Sequence, residues 1–264
     1  MGRRIFAVGG IVGLVVLASS TVEREREAGA CSCRGPETAL VGPDRVDDVP
    51  LNTKVRIETP VSGAAPSIVL RVHGSATETA TSTRTIAPGG WLSLVELTPS
   101  QPLEPATQYE VATIDPNRFP PVTVLGTFRT GRATDATPPR LDPVGVATAF
   151  VNNNPMGSAC QVGGPWVTIE GVHSEDPSRP AAQLVYGVWR GDATGAFDTK
   201  KPPTAIVSAR EGSLHLGQTS LCDPRAFPMP GTPVMWLGIA AIDEAGNVSA
   251  VRRVRVDLAG AHHP

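Results

Sequence analysis

The chain has 264 residues, enough for about two domains of ~100–150 residues, and its formal net charge is only −2. Nothing in that balance points to a nucleic-acid partner. Its 27 Gly and 26 Pro make up about a fifth of the residues, above the usual ~12%. They are scattered as turn punctuation, aromatics are sparse, and helical periodicity is nearly absent, so the composition reads as all-β.

The first thirty residues read as an export signal. Arg3 and Arg4 form a basic start, and Ile5 to Ala18 is an apolar run shorter than the ~20 residues that span a bilayer. Small residues allow cleavage after Ser20 or after Ala30. Arg3-Arg4-Ile5-Phe6 lacks the rest of a twin-arginine pattern, and Ser20 stands where a lipoprotein signal needs its Cys. The expectation is an exported protein of the periplasm, cell surface or medium, with no stable membrane span after cleavage. Four cysteines, Cys31, Cys33, Cys160 and Cys222, in an exported chain imply disulfides. Cys31-Ser32-Cys33 is one residue short of a zinc-type CxxC.

A first domain is expected over residues 31–132. Thr53–Glu58 alternates Val55 and Ile57 with polar residues, and Ser67–Val72 turns Ile68, Leu70 and Val72 to one face. Glu78–Ile86, rich in Thr, reads as an exposed edge strand. Trp91–Leu97 is a strand whose inward face is ambiguous, because both alternations hold apolar residues. Thr107–Ile114 and Val122–Thr130 complete the set, with Phe128 facing inward. Tyr109, just after the turn at Glu104-Pro105, fits a tyrosine corner, in which the ring enters the core and the hydroxyl bonds the upstream backbone.

Val49-Pro50-Leu51-Asn52, Leu97-Thr98-Pro99, Leu103-x-Pro105-x-Thr107-x-Tyr109-x-Val111 and Gly126-Thr127-Phe128-Arg129-Thr130 occur in this order. In that order they resemble the bacterial Ig-like domain of the surface-layer-protein type, over residues about 45–131. One departure is that Ile57-Glu58-Thr59-Pro60 stands where the family often carries Phe-Ser-x-Pro. Residues 133–140, Ala-Thr-Asp-Ala-Thr-Pro-Pro-Arg, form a linker that Pro138-Pro139 should make stiff and extended, holding two domains apart like beads.

A second domain is expected over 141–259, with a tail at 260–264. Its strands read as Leu141–Val146, Trp166–Val172, Gln183–Arg190, Thr204–Ala209, Ser213–Gly217, Val234–Ile242 and Asn247–Leu258. Seven is the number a sandwich of this type requires. Ala241-Ile242-Asp243-x-Ala245-Gly246-Asn247-x-Ser249 resembles the last hairpin of fibronectin type III-like and bacterial Ig-like domains. The fold class is therefore all-β: two tandem Ig-like, fibronectin type III-like antiparallel β-sandwiches.

Candidate sites are few. Asp243, Gly246 and Asn247 suit a tight hairpin that needs φ > 0, and their spacing is too short for an EF-hand calcium loop. In a Greek-key sandwich the two long loops Val151–Pro165 and Thr219–Thr232 emerge at one pole, which permits a Cys160–Cys222 bridge. That bridge would close a loop of about 62 residues and stabilise by roughly 3–4 kcal/mol. Cys31 and Cys33 are then left to each other, with cross-pairing between domains open. The five His show no metal spacing, and no nucleophile elbow, P-loop or dinucleotide fingerprint occurs. The reading is a non-catalytic module without cofactor or metal, structural or protein-binding, at a bacterial envelope. Its partner would be another envelope protein or a polysaccharide. A carbohydrate-binding alternative requires an exposed platform among Trp91, Trp166, Trp189 and Trp236. A protease inhibitor using a freed Cys31 amine is the remote alternative.

Overall fold

The computed structural model describes residues 37–44, 46–61, 67–87, 92–117, 119–152, 164–179, 184–192, 194–217, 227, 229 and 232–261. The first thirty residues, expected to be an export signal, all four cysteines and Trp91 lie outside them, as do most of the two long loops. No helix occurs among the described residues, and none is long and apolar enough to cross a membrane.

The first domain comprises β1 (Ala39–Gly42), β2 (Val46–Val49), β3 (Val55–Pro60), β4 (Ser67–Val72), β5 (Thr81–Ala87), β6 (Leu92–Pro99), β7 (Gln108–Ile114) and β8 (Val122–Thr130). They pair as two four-stranded sheets, β1-β3-β6-β5 and β2-β8-β7-β4. The short strands β1 and β2 precede Val49-Pro50-Leu51-Asn52, which the sequence reading took as the start. β1 is antiparallel to β3, and β2 is parallel to β8. Between the sheets Val49, Val55, Ile57, Leu70, Leu97, Leu103, Tyr109, Val111 and Phe128 form one core. The period-2 alternation in β3 delivers Val55 and Ile57 to that core, both fully buried.

Tyr109 stacks on Phe128, directly opposite it in the ladder, with centroids 5.7 Å apart. Its hydroxyl accepts the Glu104 backbone N–H at 3.0 Å. Ala106, at φ 52°, makes the reversal between them, and Thr130 Oγ1 closes the corner by donating to Glu104 O at 2.6 Å. On the opposite face of β7, Glu110 sits across from Arg71 of β4 and accepts from its Nε at 2.6 Å, with His73 Nδ1 at 2.8 Å. Burial would push the Glu110 carboxyl up, but these two hydrogen bonds outweigh it and hold the group below its ordinary value.

The second domain comprises β9 (Arg140–Leu141), β10 (Ala147–Asn152), β11 (Gly164–Ile169), β12 (Ser174–Glu175), β13 (Val185–Arg190), β14 (Ala205–Val207), β15 (Leu214–Leu216), β16 (Val234–Ile242) and β17 (Arg252–Asp257). A β10-β11-β15 sheet faces a β14-β13-β16-β17 sheet, and β9 pairs separately with β12. Two sequence expectations need correction. Leu141–Val146 is not one strand: Asp142-Pro143-Val144-Gly145 interrupts it, since Pro143 donates no ladder hydrogen bond. Its place in the sheet is taken by β10, which had been read partly as loop. The expected loop Val151–Pro165 is shorter accordingly, because Val151 and Asn152 pair with Pro165 and Gly164. Phe227, in the other long loop, is buried in the core beside Leu237 and Val256.

Candidate functional site

The two sandwiches meet across a junction, and its residues come from four places in the chain. β3 supplies Lys54's neighbour Arg56, whose guanidinium is on the alternation opposite Val55 and Ile57. That face should meet solvent, yet Arg56 is only 3% exposed. The reason is domain two: Arg56 Nη2 donates to Asp243 O at 2.7 Å, Lys54 N–H donates to Glu244 O at 2.7 Å, and Thr53 Oγ1 donates to the same carbonyl at 3.2 Å. The β16–β17 turn thus continues the polar edge of β3.

Asp243, Gly246 and Asn247 build that turn as their types require. Asp243 N–H donates to Asn247 O at 3.1 Å, Asp243 Oδ1 accepts Asn247 N–H at 2.8 Å, and Gly246 takes φ +87°. A Cβ on Gly246 would sit 2.6 Å from Lys54 Nζ, so the turn is also fitted to domain one. The linker is held too. Asn52 and Asp135 exchange two hydrogen bonds, Nδ2 to Asp135 O at 2.7 Å and Asp135 N–H to Oδ1 at 2.8 Å. Asn247 Nδ2 adds a contact to Asp135 O at 3.3 Å. Arg179 reaches back from domain two to Asp47 O at 3.2 Å and to the Glu244 carboxylate. An apolar contact completes the seam, with Ile206 of β14 packed against the cluster of Ile86 and Leu94, which Val41 also covers. The expected separation of the domains therefore does not hold. Pro138-Pro139 stiffens the linker, but Asp135 within it is buried and anchored on both sides.

Asp135, Asp176 and Asp243 come together here, all buried, each with a carboxylate oxygen within 4.8 Å of the others. Oxygen donors of this kind suit a hard cation. Each carboxylate is already engaged by the protein: Asp135 Oδ1 accepts Thr137 N–H at 2.8 Å, Asp176 Oδ1 accepts Ser178 N–H at 2.9 Å, the one Ser178 hydroxyl proton lies between Asp135 Oδ2 and Asp176 Oδ1, and Asp243 Oδ2 accepts Asn247 Nδ2 at 2.9 Å. Burial pushes the Asp243 carboxyl above its ordinary value, against the Asn247 hydrogen bonds and with added repulsion from Asp135 and Asp176. Arg179 supplies the opposite charge. Burial lowers its pKa while Asp48, Asp176, Asp135 and Asp243 raise it. Chemically the cluster acts as a polar lock between domains.

A second feature lies on the same seam. Arg56, Glu96 and Arg84 are register neighbours across β3, β6 and β5. Glu96 Oε1 accepts from Arg84 Nε and Nη2 at 3.1 and 2.9 Å, and Glu96 Oε2 lies 3.5 Å from Arg56 Nε. Burial lowers the Arg56 pKa, with Glu96 and Asp243 opposing. This row explains the ambiguity of β6. Leu94 and Glu96 face domain two, while Val95 and Leu97 face the first core, so both alternations are buried. Beside the row is a half-open cavity of about 290 Å³, lined from domain two by the 199–203 loop.

The tryptophans do not form an exposed platform among the described residues. Trp189 is 6% exposed and donates Nε1–H to Lys201 O at 2.9 Å. Trp236 is half-buried beneath Arg253, 4.1 Å from the ring centroid. Trp166 is half-buried and stacked on Phe150 across the β10–β11 hairpin at 5.4 Å. The junction residues Arg56, Asp135, Asp176, Arg179 and Glu244 escaped the sequence reading. The available signal was an Asp just ahead of Pro138-Pro139, which on its own says only "turn".

No family model and no curated protein sequence matches the chain. Among solved structures it is similar to the fibronectin(III)-like modules of CbhA from Clostridium thermocellum. There the identity is 11% and the TM-score 0.27, covering 86% of this chain and 98% of that one. It is similar at 10% identity and TM-score 0.27 to the tandem Ig repeats of Dlar, again over 86% and 98%. A pullulanase from Anoxybacillus sp. LM18-11 matches at 12% and 0.23, over 82% of this chain but 24% of the pullulanase. Scores this low carry no argument, and the Ig-like, fibronectin type III-like class rests on the strand pairing above.

Proposed function

We propose that this protein is an exported, non-catalytic module of a bacterial envelope, of the surface-layer Ig-like type, whose two sandwiches work as one stiff unit to position or bind a partner. The observation that carries this reading is the junction: buried Arg56, Asp135 and Asp243 tie β3, the linker and the β16–β17 turn together. A tandem that merely connected two independent beads would need none of these contacts, since inter-domain motion is the default for a small polar interface. Export is supported by the basic and apolar run Arg3–Ala18 and an even cysteine count. The partner would be another envelope protein or an envelope polysaccharide.

Small-angle scattering of the mature chain tests the stiff unit. A single narrow distance distribution, broadened by the Asn52→Ala/Asn247→Ala pair, is expected. A broad distribution in the unaltered protein would overturn it. Export is tested separately, by fractionating cells that carry the full chain or a chain lacking residues 1–20; recovery of both forms in the cytoplasm would reject it.

A further inference from the structure

The cavity beside the Arg56–Glu96–Arg84 row has a charge bias that the whole chain lacks. Lys54, Arg56, Arg84, Lys200 and Lys201 line it, against one carboxylate, Glu96. The chain as a whole carries a net −2, so five cations about one cavity are a local concentration. Glu96 takes up part of this charge from Arg84, Arg56 and Lys54. Lys200 and Lys201 are exposed at the rim. Arg56 is buried, with its Nε 3.5 Å from Glu96 Oε2 and its Nη2 held by Asp243 O, so it adds fixed positive charge to the wall.

The remaining wall is apolar and rigid. Ile86 and Ile206 come from opposite domains, and Trp189 and Pro202 come from β13 and the loop after it. The Trp189 Nε1–H bond to Lys201 O fixes that loop against the sheet. Lys54, Arg56 and Arg84 are shared with Glu96, so Lys200 and Lys201, at the rim above the apolar floor, supply the charge that an anion would meet. Five cations against one carboxylate leave net positive charge about the cavity, which favours an anion.

We propose that this inter-domain cavity binds a compact ligand bearing an oxyanion group, carboxylate or phosphate, and that it exists only while the two domains are locked together. About 290 Å³ is at the small end for ligand sites, so the bound part is one acidic unit, either free or the end of an acidic polymer.

The test is titration of the mature two-domain protein, followed by calorimetry and Trp fluorescence. The probes are citrate, inorganic phosphate and trigalacturonate, with neutral maltotriose as control, at low and at about 150 mM salt, where charge screening is marked. Saturable binding of at least one anion, with Kd at or below about 1 mM at low salt, is expected. It should weaken tenfold or more in Lys200→Ala/Lys201→Ala, whose side chains are exposed and leave the fold intact. Arg255→Ala, an exposed cation on β17 remote from the cavity wall, should leave it unchanged. Tighter binding of trigalacturonate than of citrate or phosphate identifies a polymer-borne acid, and the reverse identifies a free anion. No saturable binding by any of the three would overturn the proposal, as would an equal loss in Arg255→Ala or none in the lysine pair. Failure here leaves the scattering test of the stiff unit untouched, so the two readings fall separately.

Discussion

Replacing Arg56 by Met keeps the apolar stem of the side chain and removes the guanidinium with its charge and donors. The structure shows what is lost: a charge-assisted hydrogen bond from Nη2 to Asp243 O at 2.7 Å and the approach of Nε to Glu96 at 3.5 Å. Removing one member of a buried ion pair costs about 3–5 kcal/mol when the other is left bare. Glu96 is not left bare, because Arg84 still binds it through two nitrogens and Lys54 stands 3.7 Å away. The expected loss is therefore nearer the value of one charged hydrogen bond, about 2 kcal/mol. Equilibrium urea unfolding would measure it, with Trp189 as the reporter beside the seam. A double-mutant cycle with Glu96→Gln separates the pair from the hydrogen bond to Asp243. A coupling of about 1 kcal/mol or more is expected, since contacting residues in one network do not add. An Arg56→Met loss below about 0.5 kcal/mol, with scattering unchanged, would refute the claim that this arginine holds the domains.

Tyr109→Phe should cost about 1 kcal/mol in the same assay by stranding the Glu104 N–H, and a neutral result would mean that water replaces the hydroxyl. Glu110 gives a pH signature. Its folded carboxyl lies below the ordinary value, so its contribution is complete above that value and is lost as pH falls through the depressed one. Melting curves from acid to neutral pH should show that acid limb flattened in Glu110→Gln, and an unchanged limb would place the titration elsewhere. Gly246→Ala should lose about 1–3 kcal/mol, because an L side chain is strained at φ +87°, while the end of Lys54 nearest the new Cβ is free to move aside; a neutral result in thermal unfolding would refute it. Gly126→Ala tests the first core's edge, where a Cβ would meet Asp44 Oδ1 at 2.4 Å and Leu40 Cδ2 at 2.5 Å; overpacking of about 1–3 kcal/mol is expected by thermal unfolding.

Local chemistry determined much of this protein by itself. Period-2 alternation places Val55, Ile57, Ile68, Leu70 and Val72 against the first core because a strand has only two faces. The turn at Asp243–Asn247 and the corner at Tyr109 are set by residue types that supply φ > 0 or a short-range hydrogen bond. Strand ends were less legible. β1, β2 and β10 are short or lack strong alternation, and β2 finds its partner only in distant β8, at Val46 opposite Phe128, so little within each segment announces them.

The junction and its cavity belong wholly to tertiary structure. Arg56 is a polar alternate like any other until domain two covers it. Glu96 sits in a strand with two apolar alternations, and only the neighbouring domain explains why both are buried. Asp135, Asp176 and Asp243 are an ordinary linker residue, a loop residue and a turn residue when read singly. A single sequence records the periodicity of each strand, but it does not record which outer face of one sandwich meets which turn of the next, because that contact joins residues more than 180 positions apart.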